Sequence, residues 1–128
     1  MEVETGTVRV VLVDDQEPFR SAARWVLKMA DGFDLVGEAG SGEEGLVMAA
    51  SGAADLVLMD IGLPGIDGLE ATRRLLECDG SVRVIVLSTY EAAEYEAKAL
   101  AAGAIGFISK SEFGPEVLRG LWDRAAAR

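Results

Sequence analysis

The sequence predicts a doubly wound α/β domain: five parallel strands alternating with five helices, the helices covering both faces of one sheet. Two observations carry that prediction. Short apolar runs at 8–13, 33–38, 56–60, 82–87 and 104–108 are each followed by a segment of helical periodicity. The third run, Leu56-Val57-Leu58-Met59, is apolar throughout, ends in Asp60 and gives way at once to a loop holding Pro64, Gly65 and Gly68. That is the pattern of a strand buried on both faces of a parallel sheet. At 128 residues, half of them hydrophobic, the chain holds one domain with material for a real core, a composition that argues against disorder.

Each element has a local reason. Residues 1–6 read as a frayed polar start. The run at 8–13, VRVVLV, is a strand that Asp14 and Asp15 end. Pro18 opens a helix, as proline does in a first turn where no N–H partner is needed. Phe19, Ala22, Ala23, Val26 and Leu27 recur at helical spacing as its buried face; Trp25 falls off that stripe, as a flank residue or a contact surface. A strand follows at 33–38, then Ser41-Gly42-Glu43-Glu44, a capping-box signature that starts a helix reaching about Ser51. After the strand ending at Asp60, Asp67 and Glu70 form a second cap-like pair, with Leu69, Thr72, Leu75 and Leu76 on one helix face. The fourth strand is 82–87, VRVIVL, followed by an alanine-rich helix over about 92–102 that Gly103 stops as a C′ residue. The fifth strand, 104–108, leads to Ser109-Lys110, and Pro115 begins a last helix with Val117, Leu118, Leu121 and Trp122 facing the core.

Composition removes several functions. The formal net charge of −10 argues against gripping a nucleic-acid backbone, which needs clustered Lys and Arg. Cations and basic protein surfaces are the expected company. With no histidine and one cysteine, Cys78, a zinc site, a Ser-His-Asp triad and a Cys-His pair are excluded. The single cysteine also rules out an internal disulfide and suits a reducing compartment; Cys78 itself reads as a small core or flank residue. No apolar run approaches a membrane span and no secretory signal opens the chain, so the expected location is the cytoplasm.

Parallel strands place their C-terminal ends on one side, where ligands of open α/β sheets gather. That edge collects Asp14 and Asp15, Asp60, Ser88 and Lys110. Singly each has a plain reading: Asp15 as a helix cap, Lys110 as a solvated lysine, Ser88 as nothing in particular. Jointly they make a crevice. Two unit charges roughly 5 Å apart cost about 3 kcal/mol at an effective dielectric of 20, so three carboxylates need a raised pKa or a cation. Oxygen donors without histidine or cysteine suit Mg²⁺, or Mn²⁺. Such a metal on Asp14, Asp15 and Asp60 would neutralise a phosphoryl group arriving at Asp60, and aspartate is a nucleophile for phosphoryl transfer. Lys110 would place a positive charge on one phosphoryl oxygen, and the Ser88 hydroxyl a hydrogen bond on another.

Four motifs, VDDQ (13–16), LVLMDIGLPGIDGLEA (56–71), VLST (86–89) and GFISK (106–110), together resemble the receiver domain of a two-component response regulator over essentially the whole chain. GEAGSGEEGL (37–46), Gln16 after the acidic pair and ALAAGAIGFISK (99–110) look most like the NarL/FixJ, or LuxR-type, branch. The resemblance implies a flavodoxin-like sheet of strand order 2-1-3-4-5 and a single receiver over 1–128. It implies that Asp60 is the phosphoacceptor, charged by a sensor histidine kinase, and that Asp14 and Asp15 hold Mg²⁺ with the backbone carbonyl of Gly62. Ser88 and Lys110 would read the phosphoryl group, and Phe107 would be the aromatic switch that changes rotamer when Ser88 moves inward.

The chain departs from the family pattern at named positions. Ser111, not proline, follows Lys110; Gly62 brings no side chain to the crevice; Tyr90 brings a large one and would limit access of the hydrolytic water; Phe107 lacks a hydroxyl, so switching would run on packing. The chain reads either as an excised receiver, whose helix-turn-helix output domain lies outside this sequence, or as a single-domain regulator acting by protein contact; because the 122–128 segment stops without a clear cap, the expectation is the excised receiver. A homodimer when phosphorylated is expected, through Trp25 or the last helix. The alternatives are a pseudo-receiver that binds protein without phosphorylation, a haloacid-dehalogenase-like phosphatase and a flavodoxin-like cofactor binder. The phosphatase would need a second aspartate where Gly62 stands, and the cofactor binder a phosphate-cradling loop where Asp14 and Asp15 stand.

Overall fold

The apolar runs pair as parallel strands, buried throughout at 56–60 as a strand covered on both faces must be, and partly exposed at 33–39, where Asp34 and Glu38 interrupt the run. In the computed structural model, which describes residues 7–89 and 93–126, they are β1 (Val8–Val13), β2 (Phe33–Ala39), β3 (Leu56–Asp60), β4 (Arg83–Ser88) and β5 (Gly106–Ser109). The sheet order is β2-β1-β3-β4-β5, parallel throughout. Between them run α1 (Glu17–Met29), α2 (Gly42–Ala49), α3 (Gly68–Cys78) and α4 (Ala93–Ala101), and α5 (Pro115–Ala126) closes the chain, with short 3-10 turns at Ala50–Gly52 and Lys110–Glu112.

Alternation along the strands sorts the core into two layers. Val11, Val13, Val57, Met59, Val84 and Val86 pack with Ala49, Leu75 and Ala99 of α2, α3 and α4. Val10, Leu12, Leu56, Leu58, Ile85 and Leu87 pack with Ala23 and Leu27 of α1 and Leu118 of α5. Asp60 follows Leu56 and Leu58 in this alternation, so its side chain belongs to the α1/α5 layer.

Local signals translate into contacts with small changes. Ser41 caps α2 by accepting from the Glu44 N–H at 3.1 Å, while the Glu44 carboxylate reaches back to the Gly40 N–H at 2.7 Å. Asp67 caps α3 through the Glu70 N–H at 2.8 Å, but the Glu70 side chain turns instead to Arg74 at 2.9 Å. Gly103 ends the α4 region with φ 106°. The buried stripes are narrower than periodicity suggests. On α1 only Ala23 and Leu27 are buried and Ala22 is exposed; on α5 Leu118 is buried and Val117 exposed. Each exposed position lies one residue, about 100°, from the buried one, and a two-helix layer covers a strip rather than a half-cylinder. Trp25 stands exposed, with Lys28 Nζ 5.8 Å from its ring centroid, and Cys78 is exposed on α3.

Gly45 shows how tightly α2 lies on the sheet. A Cβ there would meet Val13 Cγ2 at 2.7 Å and Cγ1 at 3.1 Å, and Val13 is fully buried and β-branched, with no free rotamer to yield. Gly45→Ala is expected to cost about 1–3 kcal/mol in urea unfolding.

Candidate functional site

The sheet order makes β1 and β3 neighbours whose connections leave in opposite directions, β1 running on to β2 and β3 to β4. A crevice opens at the carboxyl ends of such strands. Here it is about 180 Å³, lined by Asp15, Gln16, Asp60, Ile61, Gly62, Thr89 and Lys110.

Asp14 and Asp60 are buried and Asp15 is exposed, and one carboxylate oxygen from each lies within 4.8 Å of the others. Asp14 is fixed by its position: its N–H donates to the Ala39 carbonyl at 2.9 Å, its Oδ1 accepts from the Gln16 N–H at 2.8 Å, and its carbonyl accepts from the Arg20 guanidinium. Gln16, not Asp15, is the α1 cap residue, which leaves the Asp15 carboxylate unused by the helix. Asp60 Oδ1 accepts from the Gly62 N–H at 3.2 Å. Lys110 Nζ sits 2.6 Å from Asp14 Oδ2 and 3.4 Å from Asp60 Oδ2.

The electrostatics are those of an under-neutralised cluster: Asp14 and Asp60 meet the Lys110 ammonium, and the Asp15 carboxylate adds a third negative charge beside them. Burial pushes the Asp60 carboxyl above its ordinary range and the Asp14 charge pushes the same way, while the Gly62 N–H and Lys110 pull it back without prevailing. Asp14 Oδ2 is buried and has no directed hydrogen-bond partner among the described residues; the nearby ammonium meets it as an ion pair only. A buried carboxylate oxygen with an ion pair but no directed hydrogen bond, beside two more carboxylates in an all-oxygen set, fits a hard divalent cation such as Mg²⁺.

Lys110→Met removes the ammonium between Asp14 and Asp60 and leaves the two carboxylates facing each other. Metal-free protein is expected to lose about 3 kcal/mol in urea unfolding, with Mg²⁺ recovering much of the loss.

The remaining sequence-derived candidates fall near the crevice rather than in it. Ser88 is fully buried as the last residue of β4, one position past Leu87, which pairs with Asp60. Phe107, on β5, pairs with Val86 of β4 and packs, half-buried, against the α2–α4 core layer. Ser88 alternates onto that same layer, so the two share a side of the sheet. Tyr90 lies outside the described residues. Three participants were not legible as such. Thr89 and Gln16 line the crevice, and their signal was only adjacency to Ser88 and to the acidic pair. Phe19, assigned by spacing to a buried stripe, lies with its ring centroid 4.7 Å from Lys110 Nζ. Helical phase gives a face, not a neighbour.

Residues 10–121 match the family described as the response regulator receiver domain. The chain is 39% identical over 114 residues to the response regulator UvrY of Escherichia coli (strain K12), covering 89% of this chain and 52% of the relative. The crystal structure of a LuxR-family two-component response regulator from Aurantimonas sp. SI85-9A1 superposes with a TM-score of 0.86 at 32% identity, covering 95% of this chain and 87% of the other. The signal receiver domain of the response regulator NarL from Mycobacterium tuberculosis gives 0.85 at 30% identity, with 95% and 98% covered. The chain spans about half the length of the curated relatives it matches.

Proposed function

The chain belongs to the response regulator receiver domain family of two-component systems, and from that premise we propose that it is a phosphoacceptor switch charged on Asp60 by a sensor histidine kinase. The observation that carries this is the placement of Asp60: a buried carboxylate at the end of the central β3, with Lys110 Nζ 3.4 Å away and the Asp14 and Asp15 carboxylates alongside. Residues 1–128 act as one receiver.

In the transfer, an Asp60 Oδ forms the bond to phosphorus as the bond from phosphorus to the donor's leaving atom breaks, giving an aspartyl phosphate. The donor is a kinase phosphohistidine, or a small acyl phosphate. Asp14, Asp15, Asp60 and the Gly62 carbonyl would hold Mg²⁺, or Mn²⁺, which would neutralise charge on the phosphoryl oxygens. Lys110 holds a positive charge at one oxygen and Ser88 turns its hydroxyl toward another. A group of about −1.5 to −2 charge then biases any state in which Ser88 and Lys110 lie closer to it. Phe107, beside Ser88 on the same layer, follows by packing, and the β4-α4-β5-α5 surface changes with it. The output is transcriptional, through a helix-turn-helix domain of the full-length protein, with phosphorylated receivers pairing as a homodimer. The surface recognised by the kinase and the output contact are protein surfaces, not nucleic acid.

The test is intact-mass measurement after incubation with acetyl phosphate and Mg²⁺. One phosphoryl adduct is expected, absent when the metal is chelated. No adduct, with a beryllofluoride mimic also failing to bind, would leave a module that binds its partners without phosphorylation.

A further inference from the structure

The Lys110 ammonium has a third neighbour besides the two carboxylates. The Phe19 ring centroid lies 4.7 Å from Nζ, within the range at which a ring face attracts a cation, and the lysine side chain is only 10% exposed. The same ring meets Phe113, with centroids 6.0 Å apart and planes at 46°. Phe113 closes the 3-10 turn that begins at Lys110, its N–H donating to the Lys110 carbonyl. Both ends of that turn therefore rest on one side chain of α1.

From this juxtaposition we propose that Phe19 is a positioning residue: its ring holds the Lys110 ammonium at the crevice and, through Phe113, fixes the turn that carries it. The inference deepens the phosphoacceptor reading and rests on it. Lysine is a point charge on a flexible four-carbon stem, and the contact to Asp14 Oδ2 lacks hydrogen-bond direction. Two carboxylates on neighbouring strands offer the ammonium alternative places to sit. A ring face beneath it selects one before any phosphoryl group arrives, which leaves the ammonium a shorter rearrangement to make during the reaction. An aliphatic side chain at position 19 would fill the α1/α5 layer but offers no negative π face.

Phe19→Leu keeps the apolar character and removes the ring; Phe19→Tyr keeps the ring. Three quantities are compared in both variants and the parent under conditions where urea unfolding shows each fully folded. They are the ring-current displacement of the Lys110 ε-methylene protons, assigned by their loss in Lys110→Arg, the rate of phosphoryl uptake from acetyl phosphate at saturating Mg²⁺, and the unfolding midpoint. Phe19→Leu is expected to return the Lys110 protons to unperturbed positions and to slow uptake three- to tenfold. Phe19→Tyr is expected to retain both, even where its midpoint shifts. Lys110 protons that do not move in Phe19→Leu overturn the proposal, as does an uptake rate equal to the parent's or a loss that follows the midpoint in both variants alike. A parent protein that takes no phosphoryl group defeats the phosphoacceptor reading itself and the positioning role with it; normal uptake by Phe19→Leu defeats the positioning role alone.

Discussion

Asp60→Asn is expected to unfold in metal-free buffer at a temperature about 5 °C above the parent, and to take no phosphoryl group from acetyl phosphate at any Mg²⁺ concentration. The substitution keeps the side-chain volume and an oxygen to accept the Gly62 N–H. It removes one of the two carboxylates that share the Lys110 ammonium, in a cluster that also holds Asp15. The gain is the repulsion from Asp14 and the burial of a charge; the loss is the attraction to Lys110 at 3.4 Å. Because burial and Asp14 outweigh the Gly62 N–H and Lys110 in raising the Asp60 carboxyl, the balance favours the neutral side chain in the metal-free protein.

The sign follows from linkage. The folded state holds the Asp60 proton more tightly than the unfolded chain, so the contribution of this group to stability is full below the unfolded carboxyl range. It is lost as pH rises through the raised folded value. The stability difference between Asp60→Asn and the parent therefore opens with rising pH across that window and is absent in acid. Mg²⁺ works against it, since a cation that binds only the folded state stabilises in proportion to the logarithm of its concentration. Added Mg²⁺ should raise the parent's midpoint more than the variant's and close the gap. Thermal unfolding of both proteins at several pH values, with and without Mg²⁺, checks each part; a parent more stable than the variant in metal-free neutral buffer would contradict the account.

Gly68→Ala is expected to be the most damaging small substitution in the chain, costing more than about 3 kcal/mol. A Cβ at Gly68 would lie 2.1 Å from the Asp60 carbonyl oxygen, 2.8 Å from its carbonyl carbon and 2.9 Å from Ile61 Cα. All three are backbone atoms, which cannot rotate aside. The Gly68 N–H donates to the Ile61 carbonyl at 3.2 Å, and Thr72 Oγ1 donates to the Gly68 carbonyl at 2.7 Å, so α3 starts in direct contact with the end of β3. A methyl group there must push the helix away from the strand that carries Asp60. Gly80→Ala, where nothing lies within 4 Å, is the control and should shift the urea midpoint little. Phosphoryl uptake by whatever folded Gly68→Ala remains should also fall, because the displaced backbone is that of Asp60.

The two substitutions separate what can be read from the chain alone from what cannot. Strand and helix order was legible because the signals are short-range: β-branched runs for β1 and β4, Pro18 at the start of α1, the Ser41 and Asp67 caps, and Gly103 after α4. Asp14, Asp15, Asp60 and Lys110 were legible as one cluster because parallel pairing brings every strand's carboxyl end to the same edge. The sequence alone thus determines the sheet, its two covered faces and the acidic edge.

Distances across elements needed the tertiary structure. Gly68 reads in the sequence as one more loop glycine, and only packing shows that its missing Cβ is where the Asp60 carbonyl lies. Phe19 reads as core, and only the arrangement of α1 against the turn after β5 puts its ring beside Lys110. The Ala22 and Val117 positions fit a helical stripe yet face water, since two helices on one side of the sheet bury narrow strips. Periodicity records which way a side chain points from its own backbone. What it meets there depends on how closely separate elements approach, and that is decided by the packing of the folded chain.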